Sequence, residues 1–279
     1  MKTKVSFILL CISLSFANLK AQISASFVSM RPQIQTQFSY TGNIVYWTVP
    51  NNVNSITITA KGAQGGSVSN GIAGGKGAIM QGTFSVTPGQ VLSILVGQQP
   101  TGSGNFYGGG GGTFVALGAS YASATPLIVA GGGGGNNSST LEPLADASTN
   151  TSGRGPVPGT NGNGATSTTC GGGGGGFYSS GGADINYSAG AGSGFRQGGA
   201  GGTFSGYQSG GFGGGAPANY VGSCNIQGGA GGGYSGGSGL NSGANQLYGF
   251  GGGSYNGGSS PVNSVGNTGN GSVVITTSI

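Results

Sequence analysis

The sequence predicts an all-β fold: a sheet frame with a glycine-rich bundle inserted into it, and almost no α-helix beyond the first twenty or so residues. Three observations carry that prediction. Segments such as Ser55–Lys61 (SITITAK) alternate apolar and polar residues with period two, which is the period of a half-buried strand. Between positions 101 and 260, 55 of 160 residues are glycine, too many for side-chain packing alone to order the chain. No segment after residue 21 joins a 3.6-residue apolar period to helix caps.

Residues 1–21 form the first expected element, an export signal. Lys2 and Lys4 give it a positive start, Val5–Phe16 an apolar stretch, and Ala21 a small residue before a cut near Gln22. Leu19 is unusual at the −3 position, and Ala17 offers an alternative cut. The stretch is shorter than the ~20 apolar residues of a bilayer span, and no second candidate follows. The expected mature protein is therefore secreted or extracellular, without a transmembrane segment.

Residues 22–100 form the expected N-terminal part of the frame. Ile44–Val49 is β-branched and aromatic, and Pro50-Asn51-Asn52 is a turn. Ser55–Lys61 places Ile56, Ile58 and Ala60 on one face. Gly77–Val86 and Val91–Gly97 are strands joined through Thr87-Pro88-Gly89-Gln90. Residues 101–260 are the glycine-rich region, with short strands at Thr113–Leu117 and Leu127–Ala130. Residues 261–279 return a last strand, Gly271–Thr277, to the frame.

The glycine runs include Gly108–Gly112, Gly131–Gly135, Gly171–Gly176 and Gly228–Gly233. Collagen is excluded, because glycine does not recur at every third position and proline is sparse. A flexible linker fits poorly, because TFVAL, PLIVA, Phe177-Tyr178, Phe212 and Tyr234 flank the runs. An ordered glycine run loses more backbone entropy than any other sequence and has no side chain to offset the loss. Extended three-fold helices leave their N–H and C=O groups pointing outward. Side by side, such helices satisfy one another, as buried backbone groups require. The runs therefore predict a bundle in which each run covers its neighbours.

Charge excludes further classes. The full chain carries a formal +5, and the mature chain has Arg31, Lys61, Lys76, Arg154 and Arg196 against Glu142, Asp146 and Asp184. Five scattered cations do not make a nucleic-acid surface. Cys170 and Cys224 remain after the signal is removed, and two cysteines in an oxidising compartment predict one disulfide.

Several segments carry a family resemblance. Thr48–Gly66 (TVPNNVNSITITAKGAQGG), VLSILVGQQ, FYGGGGGTFVA, PLIVAGGGGG and GSVVIT together resemble the glycine-rich domain of the anaplastic lymphoma kinase and leukocyte tyrosine kinase ectodomains. Many secreted bacterial proteins look similar. The likeness covers roughly Phe38–Thr277. It implies a β-sandwich similar to tumour necrosis factor, with an inserted bundle of polyglycine II helices. Some bacteriophage tail-tip adhesins use similar bundles, a likeness by composition alone. The chain departs from the receptors in lacking V-A-I-K, H-R-D and D-F-G segments, so no kinase activity carries over.

Chemistry-bearing motifs are few. The chain has no histidine, which removes Ser-His-Asp and Cys-His arrangements and His-ligated metals. Gly233-Tyr234-Ser235-Gly236-Gly237 fits G-x-S-x-G, but no base is present to activate the serine. Gly71–Gly77 (GIAGGKG) fails the spacing of a phosphate loop. Asn137-Ser138-Ser139, Asn150-Thr151-Ser152 and Asn186-Tyr187-Ser188 are glycosylation sequons of the kind expected by chance in so polar a chain. No enzyme activity, cofactor or metal is expected.

The candidate partner-facing residues fall in two groups. Glu142, Asp146 and Arg154 lie on the Asn136–Thr169 stretch, expected to be an exposed loop. Tyr178, Tyr207 and Tyr234 lie beside glycine runs, either sealing the bundle or stacking on a glycan or protein partner. The leading expectation is a non-catalytic structural or adhesive module at a surface. The alternatives are an ice-binding polyglycine bundle and a hydrolytic enzyme using Asp184 or Glu142.

Overall fold

The computed structural model describes residues 33–67, 72–100, 107–138, 140, 142–166, 168–185, 190–204, 208–218, 228–239 and 247–278. Ten strands follow in order: β1 (Gln33–Ser39), β2 (Val45–Thr48), β3 (Ser55–Lys61), β4 (Gly77–Ser85), β5 (Val91–Leu95), β6 (Thr113–Leu117), β7 (Thr125–Ala130), β8 (Tyr255–Asn256), β9 (Ser259–Asn267) and β10 (Ser272–Ser278). Among the described residues the only helical element is one 3-10 turn, Phe195–Gln197. None of their helices is long and apolar enough to cross a membrane. Gln35–Thr277 forms one compact unit containing both sheets, apart from the outermost residues of β1 and β10.

The strands build two five-stranded sheets, with orders β1-β10-β3-β4-β9 and β2-β5-β6-β7-β8. The registers are antiparallel throughout the two interiors, for example Ile58 opposite both Gly82 and Ile275. The alternating residues of the first sheet explain its packing. Ile56, Ile58, Ala60, Met80, Phe84, Val273 and Ile275 are buried and meet Leu92, Ile94, Val115 and Ile128 of the second sheet in one core. The opposite face of the first sheet carries Thr57, Thr59, Gln81, Thr83 and Thr276, all half-buried. There the Thr57 and Thr83 hydroxyls meet at 3.0 Å and Thr59 Oγ1 donates to Gln81 Oε1 at 3.1 Å, pairings that stabilise adjacent strands.

The second sheet is covered on both faces. Its remaining residues, Leu95, Phe114, Ala116 and Val129, pack against Phe177 and Phe195 of the glycine-rich region. Phe195 stacks on both Phe114 at 5.1 Å and Phe177 at 4.9 Å, and these two lie 6.3 Å apart, so the three rings form one cluster.

The frame and the glycine runs are continuous. β3 runs directly into residues 62–66, β7 into residues 131–135, and residues 107–112 lead into β6. Run 131–135 shows how glycine without side chains is held. The N–H groups of Gly132, Gly133, Gly134 and Gly135 donate to the carbonyls of Gly232, Ala63, Ala145 and Gly229. The Gly131 N–H donates to the buried Ser254 Oγ at 3.0 Å. The carbonyls of Gly131 to Gly135 accept, in order, from Ala78, Gly252, Gly110, Gly75 and Gly249. Every backbone donor and acceptor of the run is thus met by another segment, which is what burial of peptide groups demands.

In residues 107–112 the partners recur every third residue. Tyr107 and Gly110 accept from Gly229 and Gly232, Gly108 and Gly111 accept from Gly66 and Ala63, and Gly109 and Gly112 donate to Ala216 and Gly213. Only glycine fits such spacing. A Cβ on Gly133 would fall on the Gly75 carbonyl, and one on Gly109 on that of Ala230. Several side chains that interrupt or flank the runs are small and buried: Ala63, Ala145, Ala216, Ala230, Ser235 and Ser238.

Three strands lie outside the expected set. β1 falls inside the expected frame of residues 22–100 but ahead of its first expected strand, while β8 and β9 fall around the expected boundary at 260. β9 carries Pro261 and is exposed along most of its length, as suits the edge strand it is.

Candidate binding surface

The Asn136–Thr169 stretch is anchored to the bundle through its backbone rather than standing clear of it. Ala147 N–H donates to Lys76, Ser148 to Gly252, Arg154 to Gly251 and Gly159 to Gly236. Asn136, 1% exposed, fastens its start. Its Nδ2 donates to the Ala73 and Thr140 carbonyls at 3.2 and 3.1 Å, and its Oδ1 accepts from Ser138 N–H at 2.8 Å.

Glu142 and Asp146 border one pocket of about 200 Å³, together with Lys76, Asn136 and Pro143. Neither carboxylate is idle. Asp146 Oδ1 accepts from Lys76 N–H at 2.6 Å, and Glu142 Oε1 accepts from Ser138 Oγ and Thr140 Oγ1 at 3.0 and 2.9 Å. Arg154 is half-buried, with Nε and Nη2 near 3.4 and 3.3 Å from the Ala147 carbonyl. Asp184 is buried at 4% exposure. Among the described residues no three His, Cys, Asp or Glu side chains come together as metal ligands would.

The tyrosines form a row. Tyr178 packs edge-on against Phe177 at 5.0 Å and against Tyr234 at 6.3 Å, and Tyr234 stacks on Tyr255 at 4.8 Å. All three are half-buried. Arg196, which the sequence did not single out for a site, lies 4.8 Å above the Tyr178 ring, and its Nη2 is held by the Ala124 carbonyl at 2.8 Å. Tyr207 and Cys224 lie outside the described residues. Cys170 is fully buried and disulfide-bonded.

Burial raises the Tyr234 phenol above its ordinary pKa, with Tyr178 and Tyr255 adding to the effect. Burial, then Glu142, does the same for Tyr248. The folded state therefore favours the neutral phenols. Their contribution to stability is complete below the ordinary tyrosine range and is lost as pH rises through the raised folded values. The urea midpoint is expected to hold steady from neutral pH and to fall above about pH 10. Tyr234→Phe is expected to shallow that fall. An unchanged slope in the variant would remove Tyr234 from the account.

A larger cleft, of about 490 Å³, lies at the end of the tyrosine row. Thr149, Asn150, Thr151, Tyr255, Asn256 and Asn263 line it. Buried Met80 and Ser254 complete its wall. Its residues come from four separated stretches, two of them carrying the edge strands β8 and β9. In the sequence, Asn150 belongs to a glycosylation sequon, and Tyr255 is an aromatic close to a glycine run, as Tyr178 and Tyr234 are.

Neither a family model nor a curated protein matches the chain.

Proposed function

We propose that the chain is a non-catalytic binding module, secreted or held at a cell surface, that presents rim side chains on a rigid glycine scaffold. The observation that carries this reading is the closed backbone of residues 131–135, where each donor and acceptor is met by another segment. A scaffold satisfied from within leaves recognition to the aromatic and polar side chains at its edge. The three-residue recurrence of partners supports assigning the runs as polyglycine II helices. The two facing antiparallel sheets support a frame of the tumour necrosis factor type. Cys170 is assigned to a disulfide with Cys224. The absence of histidine from the sequence supports a binding role over hydrolysis.

Labelled mature chain, Gln22 to Ile279, is expected to bind intact cells or extracted surface glycans and proteins saturably. It is expected to turn over no ester, peptide or glycoside substrate. Turnover lost in Asp184→Asn or Glu142→Gln would replace this reading with an enzymatic one.

A further inference from the structure

The binding role leaves open what is bound, and the cleft at the edge of the two sheets narrows it. We propose that the cleft lined by Asn150, Tyr255, Asn256 and Asn263 binds a neutral oligosaccharide. The inference rests on the binding-module reading and adds a ligand class and a place.

Four observations converge on that class. The cleft, about 490 Å³, falls within the ~300–1,000 Å³ of ligand clefts. Among the described residues no acid, lysine or arginine lines it, so a charged ligand would find no counter-ion among them. Among the described lining residues Met80 is the one aliphatic hydrophobe, and at 1% exposure it offers no aliphatic surface to an apolar peptide residue. Uncharged amides and hydroxyls suit the hydroxyl groups of a sugar, each of which both donates and accepts.

Tyr255 also lines the cleft; its ring lies on the bundle-facing side of β8, opposite the Asn256 side chain. One side is stacked on Tyr234 at 4.8 Å and 25°, and Tyr234 rests in turn on Tyr178. A ring fixed in this way loses little freedom when a ligand arrives.

The amides are pre-set. Asn256 Nδ2 donates to the Gln81 carbonyl at 2.8 Å and to Asn263 Oδ1 at 2.9 Å. Asn256 Oδ1 accepts from Gly258 N–H at 3.1 Å. These bonds orient both side chains and leave donors over. Among the described residues, neither the Asn263 amide N–H group nor the Asn150 side chain has a hydrogen-bond partner. Two amides of the cleft lining thus remain available, one on β9 and one on the 149–151 stretch.

The test is affinity electrophoresis of the mature chain, made in a bacterial host so that the Asn150 sequon stays unmodified. The gels contain dextran, mannan, xylan or β-glucan, with heparin and polygalacturonate as charged counterparts. At least one neutral polymer is expected to retard the protein, and neither charged polymer to do so. Tyr255→Ala and Asn263→Ala are expected to weaken retardation tenfold or more. Asn150→Ala, at an exposed position without a protein partner, is expected to weaken it with an unchanged urea midpoint, which separates recognition from folding. No retardation by any neutral polymer, retardation by the charged polymers only, or full retardation of Asn150→Ala and Tyr255→Ala would each overturn the proposal. Saturable cell binding that survives periodate treatment of the cells would sink the glycan cleft while leaving the binding module standing.

Discussion

Gly133→Ala is expected to destabilise the protein by about 3 kcal/mol or more, the upper end for overpacking a filled interior. The reason lies in the spacing of the runs. The added Cβ would fall on the Gly75 carbonyl oxygen, with the Gly75 carbonyl carbon and Cα behind it. Both are backbone, so no side chain can swing aside. Relief requires the runs to separate, and the hydrogen bonds from Gly75 to Gly134, from Gly110 to Gly133 and from Gly133 to Ala63 would lengthen together. Each buried group left unmet costs about 1–3 kcal/mol. Urea unfolding followed by tyrosine fluorescence would measure the loss. A midpoint within error of the wild type would mean that the runs are not packed backbone to backbone at this position.

Cys170→Ser is expected to cost about 4 kcal/mol, provided Cys170 is bonded to Cys224 as proposed. That is the chain-entropy value for a closed loop of about 55 residues. The loop matters because residues 171–239 contribute much of the bundle, and among their described aromatic side chains only Phe177 and Phe195 are fully buried anchors. Non-reducing peptide mapping would identify the bond. Comparing urea midpoints with and without reductant would give its worth: reductant should lower the wild type to the level of the variant and leave the variant unmoved. Equal wild-type midpoints under both conditions would refute a stabilising bond.

The two sheets were legible to different degrees, and for a physical reason. SITITAK alternates because β3 has the sandwich core on one side and an open, hydroxyl-bearing face on the other. VLSIL, TFVAL and PLIVA are nearly continuous in their apolar character because the sandwich core covers one side of the second sheet and the Phe177–Phe195 cluster covers the other. β9 (SSPVNSVGN) was hidden because an exposed edge strand needs neither pattern. The bundle could be inferred from the entropy of glycine, but its pairings could not, since a glycine carries no mark of the segment it will meet. The candidate site was less legible still. Glu142, Asp146 and Arg154 were singled out for their charge, yet each has a hydrogen-bond partner within the protein. The cleft was missed because Asn150, Tyr255 and Asn263 are ordinary residues until the edge strands bring them together.

The hydrogen bonds of residues 131–135 also dictate an order of assembly. Their partners lie as far back as Ala63 and as far forward as Ser254. No stretch of chain that ends before Ser254 can complete them. Contacts of such sequence separation slow folding, because loop closure must precede any gain from the contact. Glycine offers no apolar surface to draw the runs together early. The apolar strands must therefore collapse first and hold their glycine extensions in register, with the bundle closing last, as the final step on a slow and highly non-local folding route.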